Sequence, residues 1–340
     1  MTRVTGKGGP LVSRIAVVGS INMDLVATVE ALPRQGETVT GTSFRQMPGG
    51  KGANQAVAAA KMGATVVMVG RIGADAFGDT LLTNLAANSV ETGQVLRDGR
   101  HPTGVALITV DRFGHNTIVV CPGANAACSP DDIDSAEDAI AKVDAVIAQL
   151  EVPVATVSRT FSLARAHGKL TVLNPAPVAD PASVKALLQH VDIIIPNELE
   201  AEALTGVPVA HEAGGFGAAT VADGSEAAPA AAALEAARQL RALGAKRVVI
   251  TLGERGAVFV GPEGEIVTPA FRVQAVDTTA AGDAFVAAFT VAWIEGMPPR
   301  ECMRWACAAG AIAATRPGAQ PSLPARHEVE ALLSAPAYLT

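Results

Sequence analysis

Seven consecutive residues, Asp277-Thr278-Thr279-Ala280-Ala281-Gly282-Asp283, combine two carboxylates with a run of small side chains. Residues 271–276 before them are rich in β-favouring types, and residues 284–294 after them are apolar nearly all round. This pattern predicts a strand, a tight turn and a buried helix. Such a turn presents the unpaired N–H groups and the positive dipole end of a helix to a ligand, and small side chains let that ligand come close. Asp283 falls in the first helical turn, so its carboxylate is directed at the same spot. A carboxylate beside an anion-binding helix end suits phosphoryl transfer to an alcohol. The acid accepts the hydroxyl proton while the N–H groups hold charge on the moving phosphoryl. An aspartate near a helix start can equally be a simple cap. Against that plainer reading, a helix this apolar must be buried, so its mouth opens inside the protein, and a second aspartate stands at 277.

These groups need a frame. The chain has 340 residues, 49% hydrophobic and 17% charged, which fits one large α/β domain with a sizeable core, alone or with a small appendage. A formal net charge of −7 and the lack of any basic run argue against nucleic acid as the main partner. The four cysteines have no C-x-x-C spacing and read as reduced thiols of a cytoplasmic protein. The N-terminus has no apolar signal region, and the longest apolar run, 284–294, is too short to span a bilayer, so no membrane association is expected.

Residues 1–13 read as a disordered leader, residues 14–330 as a single catalytic domain, and the Gly-, Ala- and Pro-rich stretch 208–230 as a surface insertion. Residues 15–18 form a short buried strand ending at Gly19-Ser20, the kind of place where α/β proteins put ligands. Asn22 and Asp24 just beyond it are turn formers or a hydroxyl-binding pair, the Asp accepting and the Asn both donating and accepting. Residues 25–30 and 37–44 alternate at period two around Pro33 and Gly36, and residues 104–110 and 116–120 repeat the pattern. Two such hairpins predict a small sheet projecting from the main domain, with lid segments at about 22–47 and 103–121.

Between the hairpins, Pro48-Gly49-Gly50-Lys51-Gly52-Ala53-Asn54-Gln55 feeds an Ala-rich helix expected at 56–62. It is not a Walker A loop, because Arg45 stands where that motif needs Gly and Gly52 where it needs Ser or Thr. No G-x-G-x-x-G occurs either. From residue 64 onward, apolar strands (65–69, 145–150, 170–173, 192–195, 247–251) alternate with helices (76–87, 156–166, 231–243), which indicates a parallel sheet covered on both faces. Polar residues recur where these strands end: Asn22, Asp24, Glu151, Asn174, Asn197, Glu200 and Thr251. Together they imply a cleft along that edge.

Gly49-Gly50-Lys51-Gly52-Ala53-Asn54-Gln55-Ala56 and Asp277 to Asp283 resemble the two signatures of the ribokinase-type carbohydrate kinases, the phosphofructokinase-B family. Residues 19–24, 33–38, 174–176, 271–276 and 315–322 extend the resemblance from about Ser13 to about Leu333. It implies an α/β fold, a ribokinase-like three-layer α/β/α sandwich with a mostly parallel central sheet and a small projecting β-sheet lid. It also implies ATP-dependent phosphorylation of D-ribose at the 5-hydroxyl, with Mg²⁺ and an activating monovalent cation, K⁺. Position by position, Asp283 would be the general base, with Gly282 and Ala281 in the anion hole. Asn22, Asp24, Gly50, Lys51, Gly52, Ala53, Asn54 and Glu151 would hold the sugar. Asn197 would lie near the nucleotide phosphates, and Glu200 would organise magnesium-bound water. Thr251, Leu252, Gly253, Glu254, Arg255 and Gly256 would line the nucleotide site. Cys307 stands where the family commonly has a His close to the adenine. Asp277 and Thr279 would bind the cation with oxygens at Ala313, Arg316, Gly318 and Ser322. The lid sheet would form a homodimer contact. Other acceptors within the family (fructose, deoxyribose, a nucleoside) stay open. So does a sugar-binding regulator without catalysis, although such a protein would not need Asp283.

Overall fold

The computed structural model describes residues 13–209 and 227–335. The expected leader, apart from Ser13, and residues 210–226 of the expected insertion lie outside the described residues. In chain order the strands are β1 (Arg14–Val18), β2 (Asn22–Val29), β3 (Gly41–Gly49), β4 (Thr65–Gly73), β5 (Val90–Asp98), β6 (Gly104–Val110), β7 (Asn116–Cys121), β8 (Ala145–Ala148), β9 (Leu170–Leu173), β10 (Ile193–Ile194), β11 (Arg247–Thr251), β12 (Ala257–Gly261) and β13 (Gly264–Thr268). The helices are α1 (Lys51–Lys61), α2 (Ala76–Ala87), α3 (Pro130–Ser135), α4 (Glu137–Ile140), α5 (Val154–Ala166), α6 (Pro181–Leu187), α7 (Glu198–Thr205), α8 (Ala227–Ala242), α9 (Ala281–Ile294), α10 (Pro299–Ala314) and α11 (Arg326–Ser334).

Nine strands form one sheet in the order β13-β12-β11-β10-β9-β8-β1-β4-β5. Pairing is parallel from β11 to β5, and the β11-β12-β13 edge is antiparallel. Successive side chains of β1 point to opposite faces and into two separate cores. Ile15 and Val17 join α1, α2, α9 and α10, while Ala16 and Val18 join α3 to α8. All four are fully buried. This is the doubly covered sheet that continuous apolar strands require.

The two hairpins join in a second, four-stranded sheet, β3-β2-β6-β7, through parallel pairing of β2 with β6. Arg71 on β4 braces the point where the chain leaves the large sheet for the small one. Its guanidinium donates to Asp98 at the end of β5 (2.9 Å) and to Asp132 on α3 (2.6 and 3.0 Å).

Four expectations are corrected. Residues 271–276 form no strand: Val276 N–H and Asp277 N–H donate to the Ala314 carbonyl at the end of α10, and Val273 and Val276 are exposed. β-Propensity without a sheet neighbour does not make a strand. Helix α1 begins at Lys51 rather than 56, so Gly52 to Gln55 are helical. Glycine's low helix propensity hides that start, and close packing requires it. A Cβ on Gly50, at φ +88°, would lie 2.7 Å from the Asn22 nitrogen, and one on Gly52 would lie 2.6 Å from the Gly19 carbonyl carbon. Strand β3 runs at Gly41–Gly49 rather than 37–44, and helix α8 begins at Ala227 rather than 231. The antiparallel β12-β13 edge and the edge strand β5 were not anticipated.

Candidate active site

Helix α9 is packed between α1 and α10, and every residue from Asp283 to Ala292 is buried. Its N-cap, Ala280, has φ +60°, a left-handed conformation unusual for a residue with a side chain. No side chain caps the helix, and nothing lies within 4 Å of where a Gly282 Cβ would be. The helix end therefore opens into a pocket of about 220 Å³ lined by Lys51, Asn174, Asn197, Glu200, Thr251, Thr278, Ala280, Gly282 and Asp283 among others. A larger cavity, about 410 Å³, lies where α2 meets the small sheet, between Phe77, Val105 and Cys121. It is apolar, and its one carboxylate, Asp75, is occupied by Gly78 and Thr103 donors, so acid–base chemistry belongs to the smaller pocket.

Asp283 is 6% exposed, and each of its oxygens accepts one amide. Asn54 Nδ2 donates to Oδ2 at 2.9 Å and Gln55 Nε2 to Oδ1 at 2.9 Å. Burial raises its pKa above the ordinary carboxylate value, against the opposing pull of Lys51 and the two amides. Lys51 is desolvated as well, but the surrounding Asp283, Glu151 and Glu200 charges hold it above its ordinary pKa, so it stays an ammonium. One fixed cation thus stands among three acids, of which Asp283 and Glu200 line the pocket.

Asn22 and Asp24 do not lie at the end of β1. They begin β2, so the small sheet presents them. Asp24 is buried, and a Cβ on Gly49 would come within 2.2 Å of its carboxylate, which is why glycine faces it. Burial, then Glu151, then Asp283 push its pKa up to about 7. Asn22 Oδ1 accepts from Asn125 Nδ2 at 2.7 Å, leaving its own N–H groups as donors. Asn125, fully buried, also accepts from Ile21 N–H at 2.9 Å. Glu151, after β8, accepts from the Ser20 hydroxyl and from Lys51 N–H (3.1 Å). It is the acid at the otherwise uncapped N-terminus of α1. Gly50, Gly52 and Ala53 lie in that same first turn or just before it, against the 19–22 segment.

Asn197 and Glu200 form a reciprocal capping box on α7, each side chain accepting the other's N–H at 2.8 Å. The N-x-x-E spacing thus has a local structural reason, and both residues also line the pocket. Thr251 bridges to Asn197, and Leu252 to Gly256 follow as a turn whose Arg255 pairs with Glu198, while Glu254 is exposed. Cys307 is 6% exposed on α10, and its thiol is pushed up to about 12 by burial.

Asp277 accepts from Thr279 N–H (2.9 Å) and hydroxyl (2.6 Å) and from Gly318 N–H (2.8 Å). Burial works to raise its pKa, and these bonds outweigh it, so it sits below the ordinary value. The Arg316 guanidinium is turned to Glu328, which leaves only main-chain oxygen for a cation. The Ala313 carbonyl accepts from Arg316 N–H, and the Ser322 hydroxyl donates to Ala319 O. No cluster of three or more His, Cys, Asp or Glu suited to a metal occurs among the described residues.

Gln55, Gln149 and Asn125 were missed as site residues. Each carried a signal: Gln55 closes the glycine-rich motif, Gln149 is the polar residue in an apolar strand, and Asn125 ends a Pro-Gly-Ala turn.

A doubly wound α/β fold with an acid at a helix N-terminus, an adjacent ammonium and a mouth lined by Asn197 and Glu200 defines a phosphotransferase acting on an alcohol. The model of the pfkB family of carbohydrate kinases matches residues 12–326, and the chain belongs to that family. It is similar to the ribokinase of Bacillus subtilis, 39% identical over 320 residues, covering 94% of this chain and 99% of the relative. It is similar as well to the deoxyribokinase of Salmonella typhi, 36% identical over 320 residues, with 94% and 98% covered. Among solved structures, that of Arabidopsis thaliana ribokinase complexed with ribose and ATP superposes with a TM-score of 0.82 at 32% identity, covering 96% of this chain and 100% of that one. The protein is therefore an enzyme, a kinase of the ribokinase type.

Proposed function

We propose that this kinase transfers the γ-phosphoryl of ATP to the 5-hydroxyl of D-ribose. The observation that carries the reading is Asp283, a buried carboxylate held by two amides at the open N-terminus of α9. A primary alcohol is far too weak an acid for Asp283 to deprotonate in advance, so the proton moves as the new P–O bond forms. The Gly282 N–H at the open helix end stabilises charge on the transferring phosphoryl, whereas the Ala281 N–H donates to the Thr278 carbonyl at 3.2 Å, and Lys51 adds a fixed positive charge on the same pocket wall. Asn22 donates to, and Asp24 accepts from, the sugar hydroxyls, with Glu151 and the 50–54 turn completing that side. Likeness to ribokinases, one of them complexed with ribose and ATP, supports the substrate pair.

The nucleotide would lie along Asn197, Glu200 and 251–256, with Cys307 beside the base. Magnesium, lacking a dedicated acid cluster among the described residues, would be held mainly by phosphates, with Glu200 reaching it through water. Magnesium supplies charge neutralisation on those phosphates. Oxygens around Asp277, Thr279, Ala313, Arg316, Gly318 and Ser322 suit potassium, and the bonds from Thr279 and Gly318 to Asp277 gather part of that set. The small sheet would join two copies, because Phe44, Leu107, Ile118 and Val119 are exposed on it.

The test is ATP-dependent phosphorylation of D-ribose with Mg²⁺, with and without K⁺, beside 2-deoxyribose, fructose and a nucleoside. Turnover on ribose that rises with K⁺ is expected. Likeness to a deoxyribokinase favours 2-deoxyribose as the second reading, and a higher kcat/KM for it would replace the first.

A further inference from the structure

Gln55 lies on α1 with no exposed surface, and both its N–H groups and its carbonyl are engaged. An amide nitrogen carries two hydrogens. One goes to Asp283 Oδ1 at 2.9 Å and the other to Asn174 Oδ1 at 3.0 Å. Its carbonyl accepts from Gln149 Nε2 at 2.6 Å. The orientation of this chain of amides is fixed from one end. Asn174 Nδ2 donates to the main-chain carbonyl of Ile195 at 2.9 Å, so Asn174 must turn its oxygen to Gln55. Gln55 must then turn its nitrogen to Asn174 and Asp283, because the opposite orientation would set its carbonyl against two oxygens. Gln149, in turn, must offer its nitrogen. Gln149 is itself fully buried, and Gly19 makes room for it: a Cβ there would lie 2.0 Å from Gln149 Oε1.

We propose that Gln55 is a positioning residue for Asp283, and that Gln149 and Asn174 lock its amide so that an N–H always faces the carboxylate. The lock runs from the ends of β8 and β9 through α1 to α9, so the large sheet itself aims the acid. One lone pair on each carboxylate oxygen takes an amide, and those remaining accept the alcohol proton. The charged groups facing Asp283 are Lys51 on α1, Glu151 after β8, Asp24 on β2 and Glu200 on α7. Lys51 favours the ionised base and the three acids oppose it. With burial already against ionisation, the Gln55 N–H is one of the groups, with Lys51 and Asn54, that favour the ionised carboxylate.

The inference rests on Asp283 being the base. The experiment compares Gln55→Glu, which keeps the shape, and Gln149→Met, which touches no atom of Asp283, with Asp283→Asn and the unaltered protein. It follows kcat and ribose KM from pH 5 to 9, together with Tm. Both glutamine variants should move the acidic limb of kcat upward by about one pH unit, so that kcat falls about tenfold at a pH on that limb, with KM changed less than about threefold. The glutamate should have the larger effect. Loss of Tm or a raised KM with an unmoved limb, in either folded variant, overturns the positioning role. If Asp283→Asn keeps turnover, the base assignment fails first. If that variant is inactive and the glutamine variants keep the original limb, the positioning inference alone fails.

Discussion

Strand β8 of the large sheet is buried at every residue, whereas β7 of the small sheet is exposed along its whole length. Both sheets present side chains to the same chemistry, but by different physics. In the large sheet, helices cover both faces, and Asp283 is held by Asn54 and Gln55 on a neighbouring buried helix. In the small sheet, residues of both faces meet solvent. The pairing of Asp24 with Ala106 and of Ala106 with Val120 puts Val120 and Ile118 on the Asp24 face, while Phe44, Leu107 and Val119 share the other. The difference teaches that Asp283, the proposed base, is aimed by a packed core, whereas Asn22 and Asp24, though buried themselves, begin a strand whose sheet ends in the fully exposed β7.

The comparison can be broken first at the core-held end. Asp283→Asn should keep ribose binding and lose on the order of 10³-fold or more in kcat, as removal of a general base does. Near-normal turnover would show that the core-held acid is not the base. Because burial raises the pKa of Asp283, activity should fall on acidification at a pH above the ordinary carboxylate range, and a pH–kcat profile checks that sign.

In the small sheet, Asp24→Asn should raise ribose KM about 100-fold through loss of a charge-assisted hydrogen bond. It should also stabilise the ligand-free protein. With a folded pKa of about 7 against an ordinary 3.8, Asp24 carries no penalty below about pH 4. Its penalty grows between pH 4 and 7 and is complete above 7, because the unfolded chain ionises it freely and the folded one does not. Relief in the variant should therefore reach about 2–4 kcal/mol at pH 8 and vanish near pH 4, measured by denaturant unfolding. Equal effects at both pH values would show that Asp24 is not strained by desolvation.

Between the two regions, Asn125→Ala should free the Asn22 carbonyl and orphan Ile21 N–H. Ribose KM should rise about tenfold with kcat nearly kept, and stability should fall by about 2 kcal/mol. Unchanged KM would remove Asn125 from the recognition side. The smallest effect on stability belongs to Phe44→Lys with Ile118→Lys, one change on each exposed face, at about 0.5 kcal/mol or less. Sedimentation should nonetheless show a shift from dimer to monomer. A variant that still sediments like the unaltered protein would separate the small sheet from assembly.

Several elements were legible in the sequence because local chemistry alone dictates them. Helix α2 at 76–87 and strands β9 and β11 fall where periodicity puts them, and the two hairpin patterns recur as β2–β3 and β6–β7. Asp283 in a first helical turn followed from small residues before an apolar run. Other features depended on neighbours that sequence order does not show. Residues 271–276 look like a strand but find no partner to pair with, and Gly50 and Gly52 look like a loop but are pressed against residues 19–22. The amide chain from Gln149 through Gln55 to Asp283 joins residues 94 and 228 positions apart. The sequence by itself determined the residue types, the alternation of strand and helix, and the acid at a helix end, because those rest on propensity and periodicity. Only the tertiary structure decided which amide faces that acid and which sheet carries Asn22 and Asp24, because hydrogen-bond direction and strand pairing exist only between segments already brought together.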